Sequence, residues 1–552
     1  MSNAFLVIVA SIIWIAPALA QEAPLMEVAL KPSAIDPVAG TAMLDVQLAI
    51  PAMSVAPGAP LFTHQNMAPR MRAPLRIETL TVSDDRGTVP LTDDGKNGLR
   101  SWSARRTVTG TVRVRYRTPI DNAAGGGLST VPVVDGPGLF GVGNMLLLLP
   151  KSDARYRIAI RWDLSALPAG STAVSTFGDG DQLLAAGPLS RLTFAMFMAG
   201  KIQRAPDPRV GHFSAVWTGN PQFDIRAAAG WSGKLYSWMS RFFGDPSEPL
   251  YHVFLRENPV GNGVAAPHAF VQGYGPHSTA EGMQTILGHE MTHTWTATSI
   301  GKWYNEGNAV FYQARLPWRA GMIPTEKYLA DINLTAARYY TNDMIRAPDS
   351  TVEPNFWTDM RYNVLSYDRG AMYFAVLDGR IRRASKGKRS VDDLVRAMVD
   401  RIRRELPITE ATWTTLLRTE LGDSGPRLHR KMMAGAVMLP ETGDFGPCFR
   451  RVRTKIGRYD LGFGGPEITR RSVVEGLRAD SAAARAGLKE GDKIEYATST
   501  EGAQRNPATP LVMKVTRGAQ TLEISYIPRG KPVDAYQWVR VAGIPDERCR
   551  PT

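Results

Sequence analysis

In this 552-residue chain the residues with the most informative chemical spacing are His289, Glu290 and His293, within Leu287-Gly-His-Glu-Met-Thr-His-Thr-Trp295. Two imidazoles four positions apart share one face of a helix and can each set a ring nitrogen about 2 Å from one zinc ion. Glu290 is turned by about 100° from His289, so its carboxylate reaches a metal-bound water and not the metal. A catalytic zinc needs a third protein ligand and one open position. The segment Lys302-Trp-Tyr-Asn-Glu-Gly-Asn-Ala-Val-Phe-Tyr312 follows at once, and a turn near Gly301 predicts a second helix packed back on the first. Glu306, expected in the first turn of that helix, is the third ligand. The chain has only eight histidines, so two at ligand spacing around a glutamate read as a site for one Zn2+ ion and not as helix filler. Nitrogen and carboxylate donors in a tetrahedral array favour zinc, although ligand type alone also admits cobalt or manganese.

The elements around these residues define a multidomain α+β chain. Residues 21–200 alternate apolar and polar positions in short runs such as Leu75-Arg-Ile-Glu-Thr-Leu-Thr-Val82, separated by Gly, Pro and Asp-Gly turns, which predicts an N-terminal antiparallel β domain. Residues 201–303 mix longer elements: a strand at His252-Val-Phe-Leu255, a Gly-rich stretch from Gly261 to Gly275, and a helix from about Thr279 to Ala297 capped by Ser278 or Thr279. Residues 304–445 carry helical periodicity, as in Val391-Asp-Asp-Leu-Val-Arg-Ala-Met398, and 446–552 return to strand and turn residues.

The bulk properties exclude some roles. Sixty-five Lys and Arg against 52 Asp and Glu leave a net charge of +13, which on a surface this large serves mainly solubility. The densest basic run, Arg380 to Arg389, has no aromatic residue between its charges, unlike a nucleic-acid groove. Residues 4–20 are uncharged and apolar and end in small residues at Ala18 and Ala20, the pattern of an export signal cleaved before Gln21, and no later run is long enough to span a bilayer. A secreted or periplasmic location follows. Export permits disulfides, and the two cysteines, Cys448 and Cys549, at either end of the last hundred residues, are expected to pair.

The motif set resembles the gluzincin metallopeptidases and, within them, the glycyl-aminopeptidase-like family. The strongest matches are His289 to Trp295, Trp303 to Tyr312 and Ser366-Tyr-Asp-Arg-Gly370. The resemblance covers nearly the whole chain. It implies an N-terminal β domain, a thermolysin-like catalytic domain, a helical domain and a C-terminal PDZ domain. It also implies hydrolysis of peptides by glutamate-assisted attack of zinc-bound water, with Tyr367 donating to the oxyanion. Within the C-terminal segment, Tyr459-Asp-Leu-Gly-Phe-Gly464 resembles the carboxylate-binding loop of PDZ domains, which implies that the amides of Leu461, Gly462 and Phe463 hold a peptide C-terminus.

Two departures qualify the resemblance. Aminopeptidases of the family place a glutamate for the substrate ammonium upstream of the zinc helix; here the stretch is Gly263-Val-Ala-Ala-Pro-His268, without an acid. Glu257, after the strand, is the nearest substitute, and His268 is a candidate lining residue. Cleavage at a terminus and cleavage within a chain therefore both stay open. Gln313 stands where relatives often carry an acid, which weakens an outer contact to the metal ligands. The rival reading is a non-catalytic zinc-containing scaffold that binds peptides through its PDZ-like module, but Glu290 and Tyr367 have no purpose in it.

Overall fold

The computed structural model describes residues 22–550 apart from 66–74, 96–98, 123–130, 207–211, 246–249, 259–262, 267, 465–471 and 499. The expected export segment and its expected cleavage point before Gln21 lie outside the described residues. Among those described, no helix is long and apolar enough to cross a membrane.

The N-terminal unit is built on a seven-stranded sheet with a five-stranded and a three-stranded sheet beside it. Its first strand, Leu25–Pro32, buries alternate residues, so Met26, Val28 and Leu30 face the core while Glu27 and Lys31 face solvent. The sheet departs from a purely antiparallel plan at one place, because Leu25–Pro32 pairs in parallel with Arg155–Trp162. A pairing between segments so far apart in the chain leaves no mark in local alternation.

The next unit is a five-stranded sheet in which Phe213–Trp217, Tyr251–Glu257 and Ala269–Tyr274 run parallel and Gly263–Ala266 forms an antiparallel edge. Both faces are covered, as parallel strands require. Val216, Phe254 and Val271 pack against Phe140 and Met198 of the N-terminal unit, while Phe213, Val253 and Phe270 join the helical core on the other side.

Among the described residues, seven helices of ten or more residues follow that sheet: Gln284–Thr296, Lys302–Gln313, Thr325–Tyr340, Met360–Ala384, Val391–Arg403, Glu410–Leu421 and Ser424–Met433. The first starts later than its capping residues suggest. Thr279 Oγ1 accepts from the Gly282 amide and holds a separate turn, so the helix proper begins only after Gly282. In the next helix, Lys302–Gln313, Glu306 is the fifth residue and so sits in the second turn, not the first.

The C-terminal segment has two parts. A small β module with short helices at Ala482–Arg485 and Thr500–Arg505 encloses its own core of Leu461, Phe463, Val474, Ile494 and Val515. The ribbon that leads into and out of it, Phe449–Tyr459 paired with Arg529–Arg540, instead buries Phe449 and Trp538 in the helical core. Asn333 fastens it there, its amide nitrogen donating to the Trp538 carbonyl at 2.9 Å and its amide oxygen accepting from the Trp538 amide at 2.8 Å. Cys448 and Cys549 are joined by a disulfide in the same core.

Candidate metal centre

Helix period and one close helix crossing assemble the centre. His289 and His293 stand on successive turns of Gln284–Thr296, with their Nε2 atoms 3.3 Å apart. Glu306 Oε2, from Lys302–Gln313, lies 3.5 Å from each. Ligands about 2.0–2.1 Å from one ion at tetrahedral angles stand about 3.3–3.4 Å from one another, so the triangle fits zinc. Among the described residues this is the one group of His, Cys, Asp and Glu side chains so disposed.

Electrostatics match the geometry. Burial pushes the Glu306 carboxyl up, but the two imidazoles beside it outweigh burial and hold the group far below the usual carboxylate range. Burial opposes charge on His293, yet Glu306 beside it raises that imidazole above its ordinary value. A cation at the centre of the triangle would satisfy all three.

Glu290 leaves the ligand face and turns toward the edge strand: a methyl placed on Gly263 would stand 3.5 Å from Glu290 Oε1. The carboxylate therefore faces the edge strand Gly263–Ala266. Tyr367, on Met360–Ala384, stacks on His289 with ring centroids 5.8 Å apart and 17° between planes, and Phe356 stacks on its other side at 6.1 Å. What brings it there is the contact of Gly307 with Gly370, where a Cβ on Gly370 would fall 2.6 Å from Gly307 Cα.

The remaining candidates lie elsewhere. The Glu257 side chain is exposed, and its amide donates to Asp135 Oδ2 at 3.0 Å. His268 adopts a left-handed φ of 58° and faces a cavity of about 340 Å3 shared with Leu250, Arg191 and Phe194, apart from the ligand triangle. In the C-terminal module the Leu461 and Phe463 side chains are buried, the Gly462 amide donates to Asp460 Oδ1 at 2.9 Å, and the Leu461 carbonyl accepts from the Tyr526 hydroxyl at 2.7 Å. Gln313 contacts His289, as its place in the motif suggests, with Oε1 3.1 Å from Nδ1. Asp331, which follows it outward, was not marked by any motif.

No protein-family profile matches the chain, and no curated protein matches it. Solved structures do. An aminopeptidase N family protein from Idiomarina loihiensis superposes with a TM-score of 0.65 at 16% identity, over 93% of this chain and 98% of that one. An M1 zinc metallopeptidase from Deinococcus radiodurans gives 0.45 at 15% identity, over 76% and 96%. Leukotriene A4 hydrolase from Saccharomyces cerevisiae gives 0.47 at 12% identity, over 74% and 66%. The likeness to the first is one of fold, and it extends along nearly the whole chain: a β-rich N-terminal part followed by a mixed sheet and helices.

Proposed function

We propose that the protein is an exported zinc metallopeptidase of the gluzincin type. The observation that carries this reading is the ligand triangle of His289, His293 and Glu306 with edges of 3.3–3.5 Å, with Glu290 turned from it toward the edge strand. His289 Nε2, His293 Nε2 and Glu306 Oε2 hold the ion. Bound zinc polarises a carbonyl and makes water acidic enough to lose its proton near neutral pH.

The chain's own groups do the rest. Glu290 takes the proton of the attacking water and returns it to the leaving amine. Tyr367 donates its hydroxyl to the oxygen that gains charge as the peptide carbonyl becomes tetrahedral. The edge strand Gly263–Ala266 aligns an extended substrate beside Glu290. It carries no carboxylate, so nothing on it selects a free ammonium over an internal peptide. The C-terminal module is read as PDZ-like, with Leu461, Gly462 and Phe463 in its loop.

Zinc analysis paired with hydrolysis of a quenched peptide library tests the proposal. One zinc per chain and cleavage abolished by chelation are expected, and Glu290→Gln should keep the metal while losing about 10²–10⁴ in turnover. Bound zinc with no cleavage of any peptide would support the scaffold instead. Mass spectrometry of the products separates release of single residues from internal cuts.

A further inference from the structure

We infer that Asp331 is a positioning residue for the metal centre, its carboxylate setting the orientation of the Gln313 amide and, through that amide, the tautomer of His289. This rests on His289 being a metal ligand.

A glutamine amide can face a neighbour with either its oxygen, which accepts, or its nitrogen, which donates. Nothing in Gln313 itself chooses between them. Asp331 Oδ1 accepts from Gln313 Nε2 at 2.7 Å, and a carboxylate has no hydrogen to offer in return. The nitrogen must therefore face Asp331, which leaves Oε1 facing His289 Nδ1 at 3.1 Å. An oxygen acceptor there requires hydrogen on Nδ1, and the lone pair is then on Nε2, the atom 3.3 Å from His293 Nε2. In the opposite orientation the amide nitrogen would face Nδ1 and favour hydrogen on Nε2, inside the ligand triangle, while Oε1 would oppose the Asp331 carboxylate.

Packing keeps Gln313 in place. The two helices touch at their backbones, where a Cβ on Gly288 would fall 3.1 Å from the Gln313 carbonyl carbon, and Gln313 is only 8% exposed. Asp331 comes from a third helix, Thr325–Tyr340. Burial raises its carboxyl to about 6, while the Gln313 amide and Arg338 pull it back down; its acceptor role rests on the 2.7 Å contact with Gln313 Nε2. A carboxylate at 313 would orient His289 directly; here the charge stands one side chain further out and acts through a neutral amide. Outer partners of metal-bound histidines typically govern 10–100-fold in affinity.

The test uses the full chain, with zinc itself as the probe, in competition with a chromophoric chelator. Asp331→Asn and Asp331→Ala should each weaken zinc binding by about 10–100-fold, because neither fixes the amide. Adding Gln313→Glu to Asp331→Asn should restore affinity to within about threefold of the parent chain, since a carboxylate at 313 accepts from Nδ1–H without help; loss of packing alone would not be rescued this way. Nitrogen-15 spectra of the metal-free protein labelled on histidine should show one tautomer for His289 in the parent and a second population in Asp331→Asn. Undiminished affinity in both single variants, or no recovery in the double variant, overturns the inference and leaves the metal centre standing. A parent chain that binds no zinc overturns both.

Discussion

Gly307 and Gly370 meet backbone to backbone: a Cβ on the first would stand 2.6 Å from the carbonyl carbon of the second, and one on the second 2.6 Å from Cα of the first. Glu306 and Tyr367 lie one and three residues from this crossing on their respective helices, so the spacing between the Glu306 carboxylate and the Tyr367 hydroxyl is set where neither helix has a side chain. Gly370→Ala should cost about 1–3 kcal/mol, the usual penalty of overpacking, and lower kcat as Tyr367 is pushed away from His289. Thermal unfolding together with steady-state kinetics checks it; an alanine chain with unchanged kcat would detach the crossing from catalysis.

Tyr367→Phe keeps the ring stacked between His289 and Phe356 and removes only the hydroxyl. Turnover should fall by about 10²–10³, the typical loss of one oxyanion donor, with KM little altered and zinc content unchanged. A variant whose KM rises while kcat holds would make Tyr367 a substrate-binding residue.

Acid should loosen the N-terminal unit through Asp84. Its carboxyl is held well below the carboxylate range, chiefly by hydrogen bonds from Arg106 at 2.7 Å and also by the amides of Thr109 and Arg86. The unfolded chain takes up a proton there near pH 4 while the folded chain still does not, so this contribution is present above that pH and drains away as pH falls below it. Asp84→Asn removes that dependence. Acid unfolding curves followed by circular dichroism should be shallower for the variant, and identical slopes would count against the pairing.

The link between Cys448 and Cys549 closes a loop of 101 residues. In the chain-entropy model such a loop stabilises the fold by at most about 4–5 kcal/mol, so Cys448→Ser with Cys549→Ser should lower the denaturant midpoint substantially. Thiol titration of the native protein should find none; two reactive thiols would refute the bond.

Much of the centre was legible because helix period leaves a mark in sequence: His289 and His293 must share a face, and Glu290 must leave it. Glu306 was legible from its neighbours and from the turn at Gly301. Tyr367 was not, because a tyrosine on a long buried helix looks like any packing aromatic until a family motif singles it out. Asp331 carried no signal at all; its partner Gln313 is 18 positions away on another helix, and a contact between helices has no period. The parallel pairing of Leu25–Pro32 with Arg155–Trp162 escaped for the same reason. Local alternation tells which face a strand buries, not which distant strand it joins.

The ribbon held by Asn333 makes the last hundred residues poor candidates for removal. A chain ending before Cys448 would strip Phe449 and Trp538 from Trp318, Tyr328 and Phe445, against which their rings pack edge-on or tilted; it would leave wet aromatic surface and, on the helix that carries Asp331, the Asn333 amide without its two Trp538 partners. Such a truncation would aggregate, or drift around the ligand triangle, even with every residue of that triangle still in the chain.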